Sequence, residues 1–189
     1  MHLFFDTETN GLPRNWKASP FDVDNWPRLV QLAWIIHDRK GNEKEKISRI
    51  IKPKGFTIPQ EAVAIHGITT EKAKKEGAPL DSVLDEFNAH LKKARVTIAH
   101  NISFDENVVQ AEFIRMQKQH FFSGVQKICT MKTTTSFCEL PGPYGYKWPS
   151  LTELHTKLFG KEYSGAHDAL ADAEACARCY FALKRLNVL

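Results

Sequence analysis

The chain has 189 residues, 42% hydrophobic and 25% charged, which excludes a disordered chain and suits one domain able to bury its own core. Lysine and arginine number 26 against 22 aspartate and glutamate; the net charge of +4 is compatible with nucleic acid but does not select it. No apolar run approaches the roughly 20 residues that span a bilayer, and Asp6 and Glu8 cut short the apolar N-terminus before a signal-peptide core could form.

Residues 2–7 predict a first strand, built on Leu3, Phe4 and Phe5. Asn10-Gly11 is a turn. Residues 13–27, carrying Pro13, Pro20 and Pro27, are an irregular insertion, neither helix nor central strand. A second strand is expected over 29–37, apolar on both faces, and a third over 46–52. The short Gly41-Asn42 turn makes those two antiparallel. Helical patterns follow at 59–65, from Thr69 and Thr70 to near Gly77, and at 79–93, where Leu80, Val83, Leu84, Phe87 and Leu91 fall three and four apart. A short buried strand at 96–99 leads to a helix at 103–117, and a fifth strand at 125–129 to helices at 130–137, 150–159 and 169–185. Three early strands followed by strand–helix alternation imply an α/β protein, a mixed sheet with helices on its faces.

Asp6 and Glu8 stand two apart on the first strand, so both carboxylates project to one face. Converging anions near a core raise each other's pKa, and a divalent cation removes that penalty; two acids in a solvated turn are the plain alternative. Asp172 falls on the apolar stripe of the last helix beside Ala169, Ala173 and Cys176, where it requires a salt bridge or a metal. His167, five positions earlier, would lie roughly 140° away in a continuous helix. It reaches Asp172 only from a loop, which Ser164-Gly165-Ala166 supplies, with Asp168 as N-cap. Asp105 follows Asn101 where a strand end meets a helix start, a usual place for functional side chains and also for an acid that favours the helix dipole. The four cysteines do not form a disulfide scaffold, and Cys176 and Cys179 in mid-helix read as buried core residues. A cytoplasmic protein is expected.

Three segments occur in order: Phe5-Asp6-Thr7-Glu8-Thr9-Asn10-Gly11-Leu12, Ala99-His100-Asn101-Ile102-Ser103-Phe104-Asp105, and Ala166-His167-Asp168-Ala169-Leu170-Ala171-Asp172. They resemble the three exonuclease motifs of the DEDDh family, the DnaQ-like 3′–5′ exonucleases. His66-Gly67-Ile68-Thr69 and the stretch 151–160 also look like recurring segments of that family. The resemblance runs from Leu3 to about Leu183.

The resemblance implies a ribonuclease H-like, five-stranded mixed sheet flanked by helices, filling residues 1–189 as one exonuclease domain with the 13–27 insertion. It implies Asp6, Glu8, Asp105 and Asp172 as the acidic, metal-holding tetrad, His167 as general base, and two divalent cations, Mg²⁺ or Mn²⁺. Asp6 would bridge them, Glu8 and Asp172 would complete the first ion's protein shell, and Asp105 would act through water. Oxygen-only ligands suit such hard ions. Thr9, Gly11, Leu12, His66, Ile68 and Asn101 would contact substrate, although Ile68 reads equally as core and His66 as a helix cap. The implied activity is release of nucleoside monophosphates from single-stranded or frayed DNA 3′ ends. RNA ends or short oligoribonucleotides, and a non-catalytic nucleic-acid-binding module on the same fold, are the alternatives. A polymerase or repair protein is a possible partner. The insertion, with Arg14, Trp16 and Lys17, either guides a single strand or is a surface loop pinned by its tryptophans.

Overall fold

Leu3 to Phe5 and Val30 to Ile36 are apolar on both faces because helices cover both sides of the sheet they form. The computed structural model describes residues 1–189. Its main sheet has five strands in the order β3-β2-β1-β4-β5. These are β1 (His2–Thr9), β2 (Leu29–His37), β3 (Glu43–Ile50), β4 (Val96–Ala99) and β5 (Gln126–Cys129). β2 is antiparallel to both β1 and β3, whereas β4 is parallel to its neighbours β1 and β5. The mixed ribonuclease H-like sheet implied by the motifs is therefore the observed one.

The period-two alternation of a strand sorts side chains between two cores. Leu3, Phe5, Trp34 and Ile36 pack with α3 (Leu80–Leu91) and α4 (Ile102–Arg115), through Leu84, Phe87, Val108 and Phe113. Phe4, Ile35 and Ile98 pack on the other face with α7 (Leu151–Phe159) and α8 (Ala169–Arg185), through Leu154, Ala173, Cys176, Cys179 and Tyr180. The small residues of α8 let it approach the sheet closely. Asp6 and Glu8 continue the Phe4 row, so the same alternation aims them at the α8 side. A satellite cluster of Val30, Ile58, Ala62, Ile68 and Ala73 fixes α1 (Gln60–His66) and α2 (Thr70–Glu76) against β2.

Several boundaries differ from the sequence expectations. β1 runs on through Glu8 to Thr9, with a register shift between those two residues, so Glu8 lies within the strand. β3 starts three residues earlier than expected, because Glu43 and Glu45 pair with β2 despite their charge, with a register shift at Lys44; Ile51, past its end, bridges Ala78 instead. The expected helix over 130–137 is two single turns, α5 (Thr130–Thr133) and α6 (Thr135–Cys138). The break is at Thr134, whose hydroxyl donates to the Thr130 carbonyl at 2.6 Å. Three successive β-branched threonines there favour such back-bonding over a continuous helix. A small hairpin unforeseen in the sequence, β6 (Pro141–Gly142) and β7 (Gly145–Tyr146), follows. No helix is long and apolar enough to cross a membrane.

The 13–27 insertion is irregular, as expected, but closely tied. Asn25 is buried, its Oδ1 accepts from the Asn15 amide at 2.7 Å, and its Nδ2 donates to the Asn15 carbonyl at 3.0 Å. Arg115 of α4 donates to the Trp26 carbonyl at 2.7 Å, and fully buried Glu112 pairs with Arg28 at 2.8 Å.

Candidate active site

Parallel strands β1 and β4 end on the same edge of the sheet, and α4 and α8 begin there. That edge collects the acids. Asp6 and Glu8 of β1 and Asp172 of the first turn of α8 place carboxylate oxygens all within 4.8 Å of one another. Three oxygen ligands converging from two rigid elements form a hard-cation donor set.

The electrostatics show why such a set needs a cation. Burial, and then the charges of Asp105, Asp172 and Glu8, hold the Asp6 carboxyl well above the usual carboxylate range. Burial and then Asp172 and Asp105 push Glu8 up to about 8. No cationic side chain figures among the influences on either group. Asp172 is raised by burial, against the opposing hydrogen bond from Tyr163, whose hydroxyl donates to Oδ1 at 2.7 Å. These three carboxylates fit divalent metal in the chemistry of their donors and in their unmet charge.

Asp105, only 3% exposed, is outside the 4.8 Å group. The Thr7 amide and hydroxyl both donate to its Oδ1, at 3.0 and 2.7 Å, and fix it to β1. Burial nevertheless pushes it up to about 7. His167 is exposed on the loop before α8, in the left-handed region at φ 68°, and its amide donates to Asp172 Oδ2 at 3.4 Å. The loop is tight: Gly165, at φ +81°, would carry a Cβ 3.1 Å from the Ala171 methyl. Asp168 caps α8 as expected, its Oδ1 accepting from the Leu170 and Ala171 amides at 3.1 Å.

A cavity of about 480 Å³ opens beside the acids, and Glu8, Thr9, Gly11, Leu12, His66 and Phe104 are among its walls. Four of the six expected substrate contacts therefore share one cavity. Thr9 is turned inward there, its hydroxyl donating to the Gly11 carbonyl at 2.7 Å, whereas Leu12 is 70% exposed. His66 Nδ1 accepts from the Ile68 amide at 3.1 Å, while its Nε2 is buried without a partner. The other two expected contacts are not brought there. Ile68 is 3% exposed inside the satellite core, so its side chain is unavailable to substrate. Asn101 is the N-cap residue of α4 at φ 66°, outside the cavity wall.

Sequence reasoning missed Tyr163 and Thr7. Tyr163 lies in an irregular stretch with no periodicity to mark it. Thr7 sits between the two acids in the sequence, and its link to Asp105 crosses 98 positions.

An exonuclease family model, RNase_T, matches residues 3–180. The chain belongs to this DnaQ-like exonuclease family. Among its relatives, a DNA polymerase III PolC-type protein of Streptococcus thermophilus (strain LMD-9) is 34% identical over 181 residues. That match covers 95% of this chain and 11% of the PolC-type protein. A DNA polymerase III subunit epsilon of Treponema pallidum (strain Nichols) is 29% identical over 176 residues, 93% of this chain and 73% of that subunit. The chain thus spans about a tenth of its PolC-type relatives. E. coli exonuclease I with a dT13 oligonucleotide shares the fold, with a TM-score of 0.78 at 23% identity over 98% of this chain and 42% of that one. A zinc-bound E. coli exonuclease I–ssDNA complex superposes with a TM-score of 0.76 at 24% identity, over 98% and 40% of the two chains. Divalent metal use goes with membership of the family, and the carboxylate cluster is compatible with it.

Proposed function

We propose that residues 1–189 form one exonuclease domain that removes nucleoside monophosphates from single-stranded or frayed DNA 3′ ends. The observation that carries this is the convergence of Asp6, Glu8 and Asp172 oxygens within 4.8 Å, beside a cavity large enough for a nucleoside. DNA is favoured over RNA because the relatives are named as DNA polymerase III proteins and the exonuclease I structures hold ssDNA. A replicative polymerase is the corresponding partner class.

Asp6, Glu8 and Asp172 would hold the cations directly and Asp105 through water, with Mg²⁺ or Mn²⁺ suited to an all-oxygen set. When bound, the cations supply charge neutralisation at the phosphate and a water of lowered pKa. The protein's own groups do the rest. His167, exposed on its loop, accepts the proton of the attacking water at a ring nitrogen. Tyr163 orients Asp172, and Thr7 orients Asp105. Thr9, Gly11, Leu12, His66 and Phe104 seat the terminal nucleoside against the acids.

The test uses single-stranded DNA, duplex DNA and RNA of one sequence, each 5′-labelled, with Mg²⁺, Mn²⁺ or EDTA. Stepwise shortening of the single-stranded DNA from its 3′ end is expected with either metal and not with EDTA. Faster shortening of RNA than of DNA would overturn the polymer assignment, and release of the 5′-terminal nucleotide first would overturn the polarity.

A further inference from the structure

The insertion contains two tryptophans that do opposite things. Trp26 is buried, and its indole N–H donates to the Ser19 carbonyl at 3.0 Å; it pins the loop. Trp16 is 54% exposed, although the backbone on either side is held, with Asn15 bonded to Asn25 and to the Lys17 amide. Trp16 rests on Phe104, ring centroids 5.6 Å apart, and Phe104 is a wall of the cavity that holds Glu8. The aromatic surface is therefore continuous from the catalytic cavity out onto the loop. A second cavity, of about 510 Å³, includes Arg14 and shares Asn10, Gly11 and Leu12 with the first. Arg14 and Lys17 are exposed on either side of Trp16.

We propose that the 13–27 loop is a second nucleic-acid site: Trp16 stacks a base of the single strand upstream of the reacting end, and Arg14 and Lys17 meet its phosphates. This rests on the exonuclease reading above and extends it to the strand that follows the terminal nucleotide. Stacking on an aromatic face is tolerant of sequence, as release of successive nucleotides demands. The loop's hydrogen bonds hold Trp16 in place before substrate arrives, so little ordering cost attaches to binding.

Steady-state kinetics on a thymidine dinucleotide and a thymidine decanucleotide, for wild type, Trp16→Ala and Trp16→Phe, test the proposal. Trp16→Ala is expected to raise KM for the decanucleotide about tenfold more than for the dinucleotide, with kcat changing little, and Trp16→Phe to restore most of the difference. Equal effects on the two substrates, or none, would overturn the loop site. Anisotropy of a labelled decanucleotide in EDTA reads the loop independently of hydrolysis. Weaker binding by Trp16→Ala supports the site even if wild type cleaves neither substrate, an outcome that would instead sink the exonuclease reading. Arg14→Ala should lower the salt slope of that binding by about one; an unchanged slope removes Arg14 from the site.

Discussion

Tyr163 and Thr7 show how much of the site depends on neighbours that carry no metal chemistry themselves. The Tyr163 hydroxyl and the His167 amide each donate to one oxygen of Asp172 and so fix the carboxylate beside Asp6 and Glu8. Tyr163→Phe is expected to weaken Mn²⁺ affinity by about tenfold, measured by calorimetry, because outer hydrogen bonds orient ligating carboxylates. An unchanged affinity would reduce Tyr163 to packing. His167 carries the other residue-scale expectation. His167→Ala should lose most of kcat in the metal-loaded enzyme while the protein stays folded, measured by single-turnover hydrolysis. An unchanged kcat in that variant would remove His167 from the role. The acids and His167 were singled out by the resemblance of three segments to the family's motifs, since local spacing alone left a plain alternative for each of them. Tyr163 and Thr7 were not, because their partners lie in other elements.

The elements behave as the apolar pattern implies wherever burial decides, and depart where it does not. The strands at 29–37 and 96–99 and the helix at 151–159 match the expectations to within a residue, because each has a face fixed by the core. β3 is misplaced at its start because Glu43 and Glu45 are paired through their backbone, which a charge pattern does not reveal. Ile68 follows the same logic in reverse: a residue in a recurring family segment is apolar because it packs with Val30 and Ile58. The insertion is the element whose order was least visible in advance. Its proline content marks it as irregular, but its rigidity comes from Asn25, whose partners lie 10 positions away. Asn25→Ala should cost about 1–3 kcal/mol by denaturant unfolding, since it removes two hydrogen bonds and leaves the Asn15 amide unmet. A loss under a few tenths of a kcal/mol would mean that Arg115 and Glu112 alone hold the loop.

At the scale of the whole molecule, the net charge of +4 conceals a division. Four acids gather at one edge of the sheet, so the remaining surface is more basic than the sum suggests, as suits a body that meets a polyanion around a metal centre. The same division makes metal-free stability depend on pH. Glu8 is raised from 4.5 to about 8 and Asp105 from 3.8 to about 7, so between those values the folded state holds protons that the unfolded chain has released. Their contribution to stability is fully present below about pH 4 and is lost as pH rises toward 8. In EDTA the Tm of wild type should therefore fall over that range more steeply than that of Asp6→Asn, which removes one of the repelling charges. Equal slopes would mean that the acids do not repel as their placement requires.

The most direct test of the account is single-turnover hydrolysis of a 5′-labelled single-stranded DNA by wild type and by Asp6→Asn, over a range of Mn²⁺ concentrations. Wild type should shorten the strand from its 3′ end in proportion to metal occupancy. Asp6→Asn, folded and at least as stable without metal, should be slower by about 10³-fold or more at every concentration, since it removes the carboxylate at the centre of the cluster. Wild-type turnover by Asp6→Asn, or metal-independent cleavage by the wild type, would contradict it.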